Sequence, residues 1–503
     1  MKTIDLDRGM KLIKAVHGWL FLLFSITNIL GQGYPTGLII DSKAYNEIPR
    51  QSQYGDGGKT ESKALEGIYK VDLKPYCPRP IHQGSIGSCV GWSCGYAALT
   101  LSQNLNDANF VSPNRDIINK KARSALFIYN QIKISDCEGG SRIEDALRLL
   151  QQKGNVYHKD YDLVIEKCDR MPSPKEIGDA AHSKILDYMA LFGRDDNELV
   201  KINKIKLSLV QKKPVVIAME LNENFKSLTT SDIFWFPEVG NTNPMGAHAM
   251  CVVGFDDGKE AFEVMNSWGD LWGNNGFIWI KYDDFVKYCY HAYQFSVSSG
   301  ISDVSSPSDI QYTGEFAFRY PKLIYQDKID FEYEQVSLHN GAYKLSKKDW
   351  KVGEKFQLVS TQVQAGMYLY VFSFDPDGQI HVHWPRDETF DSNFSGIKES
   401  AVITTPDIEL IIPGPTRALQ FDKRGQDYVI VLYSSKPIIN FNEKLMKLKK
   451  DTKKGNIVSK LYKNFDNMLI PLEKITYEKN KMKCSSQSKS GFVLPIILEI
   501  NVN

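Results

Sequence analysis

The chain opens with a polar–charged stretch and then a run of apolar residues, Ala15 to Leu30 (AVHGWLFLLFSITNIL). Lys11 and Lys14 precede it, and Gly31-Gln32-Gly33 follow. A charged flank, a short apolar run and small residues predict a signal peptide over residues 1–31. At 16 residues, the run falls short of the roughly 20 needed to cross a bilayer. From Gln32 to about Tyr69 the sequence is polar and turn-rich, which predicts an extended lead-in. Residues 70–296 alternate helical and strand-like patterns. Ile143, Ala146, Leu147 and Leu150 form one apolar helix face behind Ser141-Arg142-Ile143-Glu144, a capping-box sequence, with Gly154 as its C-cap. Strand runs at 246–255 and 261–268 flank Asp256-Asp257-Gly258, and Asn274-Asn275-Gly276 leads into a further strand, Phe277 to Tyr282.

A serine-rich stretch over 297–311 predicts a linker. Beyond it, 312–503 reads as a β-rich accessory domain. Strands are expected at Met367–Phe374, Gln379–Trp384, Tyr428–Tyr433 and Phe492–Val502, with the turn Asp375-Pro376-Asp377-Gly378 between the first two. The Lys-rich stretch 444–463 is compatible with a helix whose lysines form a solvated face; a membrane- or acid-binding surface is the rival reading.

Composition narrows the classes. The 503 residues suggest two or three domains, and 42% hydrophobic content excludes a mainly disordered chain. Lys+Arg 61 against Asp+Glu 60 leaves a net charge of +1, which offers no electrostatic footprint for nucleic acid. Removing residues 1–31 takes away four positive and two negative side chains, leaving a near-neutral exported protein with no stable membrane span. Eight cysteines without a CxxC pair argue against structural zinc. His381 and His383 share a strand face but lack a third ligand, so no metal and no cofactor are expected.

The chemistry-bearing stretch is Gln83 to Ala98, QGSIGSCVGWSCGYAA. A Gly/Ser loop feeds a buried helix with Cys89 on its first turn. There, unpaired N–H groups and the helix dipole favour a thiolate. Cys94 lies deeper and reads as an inert core residue. A three-residue turn centred on Asp257 would set His248 opposite Asn266, an arrangement in which an amide fixes an imidazole for general-base work on a thiol. Gly139 and Gly140 offer bare backbone able to lie along an extended peptide.

Together these stretches resemble the papain family of cysteine peptidases. QGSIGSCVGWS is similar to its Gln-Gly…Gly-Ser-Cys loop, HAMCVVGFDD and NSWGDLWGNNGF to its His and Asn-Ser-Trp-Gly segments, and CEGG to its Cys-x-Gly-Gly strip. The pattern lies closest to secreted bacterial members and covers about residues 75–295. The resemblance implies an α+β, papain-like two-lobe fold, with a helical lobe carrying Cys89 and a β-barrel-like lobe carrying His248. It implies Cys89 as nucleophile, His248 as base and then acid, Asn266 as orienting residue, and Gln83 with the Cys89 N–H as oxyanion donors. Trp268 would shield the His–Asn pair, and Gly139, Gly140 and Trp268 would line the substrate site. The implied reaction is thioester-mediated peptide hydrolysis, most simply by an endopeptidase acting on peptide or protein substrates. A papain-like aminopeptidase or transpeptidase, and a catalytically silent binding or surface protein, are the rivals.

The chain departs from the family pattern in several places. Ile86 stands where a cysteine is usual, Val90 replaces an aromatic, and 159 residues separate Cys89 from His248, against about 130–150. No long helical propeptide of the family's inhibitory type is expected ahead of Cys77, which leaves latency open. Cys137 and Cys168 bracket the capped helix and are the pair expected to form a disulfide. Cleavage specificity, oligomeric state and the partner of the C-terminal domain are not set by the sequence.

Overall fold

The structure is a computed structural model. It describes residues 35–50, 59–107, 113–162, 164–165, 167–238, 244–297, 312–325, 328–362, 367–386, 398–403, 409–414, 417–451, 456–488 and 490–503. The expected signal peptide and nearly all of the expected serine-rich linker lie outside the described residues.

The first apolar core gathers residues from Leu38 to Val297. On one side are helices. A π-helical turn, Gly91–Ala98, continues as the α-helix Leu99–Asn106, and Leu126–Ile132 and Ile143–Gln152 pack beside it. Gly91 is required there: a Cβ would collide with the Ala125 carbonyl. On the other side is an eight-stranded sheet. Its strands are β1 (Lys70–Asp72), β2 (Ile185–Ala190), β3 (Val215–Asn222), β4 (Phe234–Trp235), β5 (Pro244–Asp256), β6 (Ala261–Met265), β7 (Phe277–Lys281) and β8 (Cys289–Val297). The order is β2-β8-β3-β5-β6-β7-β4, with β1 on β5. Strands β3, β6 and β7 are apolar almost throughout, as strands covered on both faces must be.

Three local expectations change. The capping box at Ser141 does not form. The N-cap is Arg142, without a side-chain bond, because Ser141 pairs with another segment and Glu144 accepts from Tyr293 Oη. A capping box instead caps Pro174–Ala180, from Ser173 and Glu176. The β5–β6 turn takes four residues, Asp257–Glu260, with Glu260 at φ 49°, and pairs Asp256 with Ala261. A register shift between Val252 and Gly254 follows, so His248 and Asn266 are not cross-strand partners. The lead-in is also not merely extended: Ser42–Asn46 is helical behind an Asp41 N-cap, and Lys59–Ala64 is helical too.

The region from Tyr312 on is a sandwich of two sheets. One has seven strands built around Tyr312–Tyr325 and Lys355–Gln362. The other has six, in the order Val336–His339, Ala342–Leu345, Val493–Val502, Gly425–Ser434, Tyr368–Phe374, Ile380–Trp384. Alternate residues of Tyr368–Phe374 serve two cores. Leu369 and Val371 face the sandwich interior, while Tyr370 and Phe372 face the helices Phe441–Lys450 and Ile457–Phe465. The Lys-rich stretch is thus two helices, not one. Their apolar faces (Phe441, Leu445, Leu461, Phe465) cover the second sheet, and Lys447, Lys449, Lys450 and Lys463 lie on the exposed side.

Candidate active site

Helix and sheet meet at Cys89. Its loop is fixed by Gln83, whose backbone N–H donates to the Ser267 carbonyl (2.8 Å) and whose Nε2 donates to the Ile86 carbonyl (3.0 Å). Ser267 Oγ donates to Gln83 Oε1 (2.6 Å). The Ile86 carbonyl, which can only accept, settles which end of the amide carries the N–H groups and turns them toward the cysteine loop, and Ser267 completes the arrangement by donating to the other end. Ser267 was not singled out from the sequence, although it sits inside the Asn-Ser-Trp-Gly segment.

His248 and Asn266 do meet, by a route other than strand pairing. Strand β6 ends at Met265 and the chain turns, so that Asn266 Oδ1 lies 2.8 Å from His248 Nε2 and accepts the Ser267 N–H at the same distance. An oxygen already accepting from a backbone N–H makes His248 Nε2 the protonated nitrogen. Nδ1 therefore keeps its lone pair, and it is buried without a hydrogen-bond partner. The Trp268 ring lies against the imidazole, with centroids 4.9 Å apart, and covers the pair.

Cys89 and His248 are both 0% exposed. The backbone N–H groups of Ala249, Val90 and Cys89 itself face the Cys89 sulfur, and Ala249 is the residue next to His248 on β5. Burial nevertheless dominates. It pushes the thiol up to about 12 and pulls the imidazole down to about 4, only partly offset by Asn266. Both groups are neutral in this state. Cys94 is buried and its thiol is also pushed up by burial.

Residues 35–40 cover the pair. Pro35 accepts from Trp268 Nε1 (3.3 Å), and Thr36 Oγ1 lies beside Gly246, two residues before His248. Gly37, at φ 121°, packs so closely on Gly87 that a side chain would strike its carbonyl. Leu38 pairs in parallel with Ser141: the Ser141 N–H donates to Gly37 O (2.8 Å) and the Ile39 N–H to Ser141 O (3.0 Å). The Gly139-Gly140 strip is thus occupied, and Gly140 has no room for a Cβ because of Gly37. Farther along, Tyr45 stacks on His291 (3.9 Å, 5°) and donates to the Phe192 carbonyl (2.6 Å). We call residues 35–50 the strap.

The strip is braced by a disulfide between Cys137 and Cys168, with Cα atoms 5.5 Å apart. Tyr129 Oη donates to the carbonyls of Cys137 (2.9 Å) and Gly139. In the C-terminal region His383 Nε2 pairs with Ser373 Oγ (2.8 Å), while His381 lies 3.8 Å from Asp375, so the two histidines have different partners. Among the described residues no three His, Cys, Asp or Glu side chains cluster to hold a metal.

The model of the papain family cysteine proteases matches residues 81–298. Those residues are a papain-family cysteine protease domain. The β-rich region from Tyr312 on lies outside the match. An uncharacterized peptidase C1-like protein of Acanthamoeba polyphaga mimivirus is 28% identical over 232 residues, covering 44% of this chain and 70% of that protein. Vignain of Vigna mungo is 23% identical over 239 residues, covering 46% and 60%. Among solved structures, xylellain, a cysteine protease from Xylella fastidiosa, is 21% identical with a TM-score of 0.42, covering 53% of this chain and 96% of that one. All of these papain-family relatives are matched over about half of the present chain.

Proposed function

We propose that the chain is an exported cysteine endopeptidase that rests in a blocked, neutral state and acts once the strap leaves the cleft. The observation that carries this reading is the His248 tautomer. With Nε2–H committed to Asn266, Nδ1 is an unpartnered buried base on the residue next to Ala249, whose backbone N–H faces the Cys89 sulfur. In the reaction, His248 Nδ1 takes the Cys89 proton as sulfur bonds to the substrate carbonyl carbon. The oxyanion takes the Cys89 N–H and the Gln83 Nε2–H not used by Ile86. Collapse breaks the C–N bond, and His248 returns the proton to the leaving amine. Water, deprotonated by His248, then cleaves the thioester and restores the thiol. An extended substrate main chain takes the Gly139–Ser141 strip in place of Leu38. Export is supported by the Cys137–Cys168 bond, since disulfides persist in oxidising compartments. Among the described residues no helix is long and apolar enough to cross a membrane.

The test is labelling by a thiol-directed epoxide, read by peptide mass, before and after proteolytic removal of the strap. Modification should fall on Cys89 and rise on removal, with cleavage of a denatured protein appearing in parallel and being lost in Cys89→Ala. Cleavage surviving in Cys89→Ala would end the assignment. Internal cuts in a long peptide separate endopeptidase from aminopeptidase, which would trim from one end.

A further inference from the structure

The strap ends in an unusual seam. At Pro49–Arg50 it is one strand wide and lies between two edges. On the peptidase side the Ala190 N–H of β2 donates to the Pro49 carbonyl (3.0 Å), and Arg50 bridges Ala190 in parallel. On the other side the Arg50 N–H donates to the Lys398 carbonyl and the Ser400 N–H to the Arg50 carbonyl, both at 2.8 Å. Residues 401–403 then join the second sheet of the sandwich: the Leu369 N–H donates to Ala401 O and the Ile403 N–H to Met367 O, each at 2.8 Å. One hydrogen-bonded ladder therefore runs from the peptidase sheet, through a strap residue, into the C-terminal sheet.

The side chains tie the same seam. Arg386 donates from its backbone N–H and its Nε to Glu399 Oε2, both at 3.0 Å, which fixes the segment that holds Arg50. The buried Arg50 guanidinium lies over the Tyr45 ring (5.1 Å), donates to Asn46 Oδ1, and occupies space that only a glycine at 193 leaves open. Met189 of β2 belongs to the same apolar cluster as Tyr368, Tyr370 and Phe372.

We propose that the β-rich C-terminal region is the anchor of the strap: segment 398–403 holds Pro49–Arg50 as a shared strand, and the catalytic cleft opens when that seam parts. This rests on the reading that the strap blocks Cys89. It gives the C-terminal region a regulatory role inside its own chain, as the surface whose partner is an extended backbone segment. Freeing Arg50 leaves the cleft contacts to residues 35–40 and to the Asp41 and Tyr45 anchors behind them.

The experiment uses the full chain and the rate at which a thiol-directed epoxide modifies Cys89. Ser400→Pro removes the N–H given to Arg50. Arg386→Ala leaves every backbone bond in place and unpins Glu399, so it reports even where the proline variant fails to fold. Each should raise the rate about 5- to 10-fold, Ser400→Pro by removing one strap hydrogen bond and Arg386→Ala by removing the side-chain bonds that hold the 398–400 segment against it. An Arg50→Cys/Glu399→Cys chain joins two residues paired in the ladder, at a spacing a disulfide accepts. Oxidised, it should react more slowly than the wild type; a phosphine reductant should reverse this, with wild type plus phosphine as control. Backbone hydrogen exchange at Arg50 and Ile39 shows whether the seam and the cleft contacts part together. Faster exchange at Arg50 with Cys89 still reacting at the wild-type rate would overturn the anchor. Should Gly37→Ala react fast while the seam variants stay slow, the anchor alone fails; should wild-type Cys89 react at the rate of the strap-free chain, the blocked-cleft reading fails with it.

Discussion

Replacing Gly37 by alanine puts the blocked cleft to its sharpest test. Gly37 sits at φ 121° against the Gly87 carbonyl, two residues from Cys89, and its own carbonyl accepts the Ser141 N–H at 2.8 Å. An L-residue in a left-handed conformation costs roughly 1–2 kcal/mol. The new Cβ must also push the Gly87 backbone aside or lift the strap, and lifting it forfeits the Ser141 pairing, worth about 1 kcal/mol per bond. A bias of about 1–2 kcal/mol against the seated strap enlarges the open population roughly 5- to 30-fold. The second-order rate of Cys89 modification by a thiol-directed epoxide should rise by that factor. Gly67→Ala is the control: φ is 81°, so the backbone strain is comparable, but its Cβ would meet nothing within 4 Å. A Gly37→Ala chain that is still folded by circular dichroism and reacts at the wild-type rate would refute the blocked cleft. A Gly67→Ala chain that sped up equally would refute it as well.

Three further outcomes follow from the same geometry. Gln83→Ala should lower kcat/KM on a peptide substrate about 10²- to 10³-fold, as loss of an oxyanion donor does, whereas Ser267→Ala, which only frees the Gln83 amide to turn, should cost about 5- to 10-fold and act mainly on kcat. Reducing Cys137–Cys168, or replacing both by serine, should lower unfolding stability by about 3 kcal/mol, read from urea titration. Acid should destabilise the fold through two histidines. Burial holds His248 and His291 near 4 against an ordinary 6.5, so the unfolded chain binds their protons first as pH falls. Stability contributed by these groups is full above pH 6.5 and is lost between 6.5 and 4, by up to about 3 kcal/mol each. His291 faces the Tyr45 ring, Tyr293 Oη, the Arg50 cation and the Asp41 carboxylate, and His291→Phe should remove its share of the slope in thermal melts against pH.

What the sequence made legible and what it hid divide along one line, the range of the contacts. Motif stretches carry their geometry with them. Gln83, Cys89, His248 and Asn266 were all picked out, and the structure collects them around one helix start. The register of β5 on β6 nevertheless differs from the one that would set His248 opposite Asn266. The residue numbers of paired positions sum to 517 at the hairpin tip and 516 past the shift, which sets Trp268 rather than Asn266 in line with His248. The His–Asn bond survives because β6 stops at Met265 and the Ser267 N–H locks the Asn266 carboxamide. Apolar alternation likewise foretold the C-terminal strands, since a strand buried on both faces, such as Tyr368–Phe374, is dense in large apolar residues whatever its neighbours are.

The strap left no such trace. Its residues read as polar lead-in because none of its stabilising partners is near in sequence: Leu38 needs Ser141, Pro35 needs Trp268, Tyr45 needs Phe192 and His291, and Arg50 needs Ala190 and Ser400. Periodicity cannot report a segment that takes one contact from each of several distant elements. Two local signals were present all the same, a glycine at 37 and an Asp41 N-cap ahead of a short helix. The same feature that made the strap illegible makes it releasable. The strap is held by one or two backbone bonds to each of several elements and has no heptad or sheet of its own, and only Leu38, Tyr45 and Ile48 of its side chains are buried in the first core, so its release costs that core few contacts. Opening must expose Cys89 and His248 while leaving the Gln83–Ser267 and Asn266–Ser267 bonds in place, and neither of those bonds is made by a strap residue.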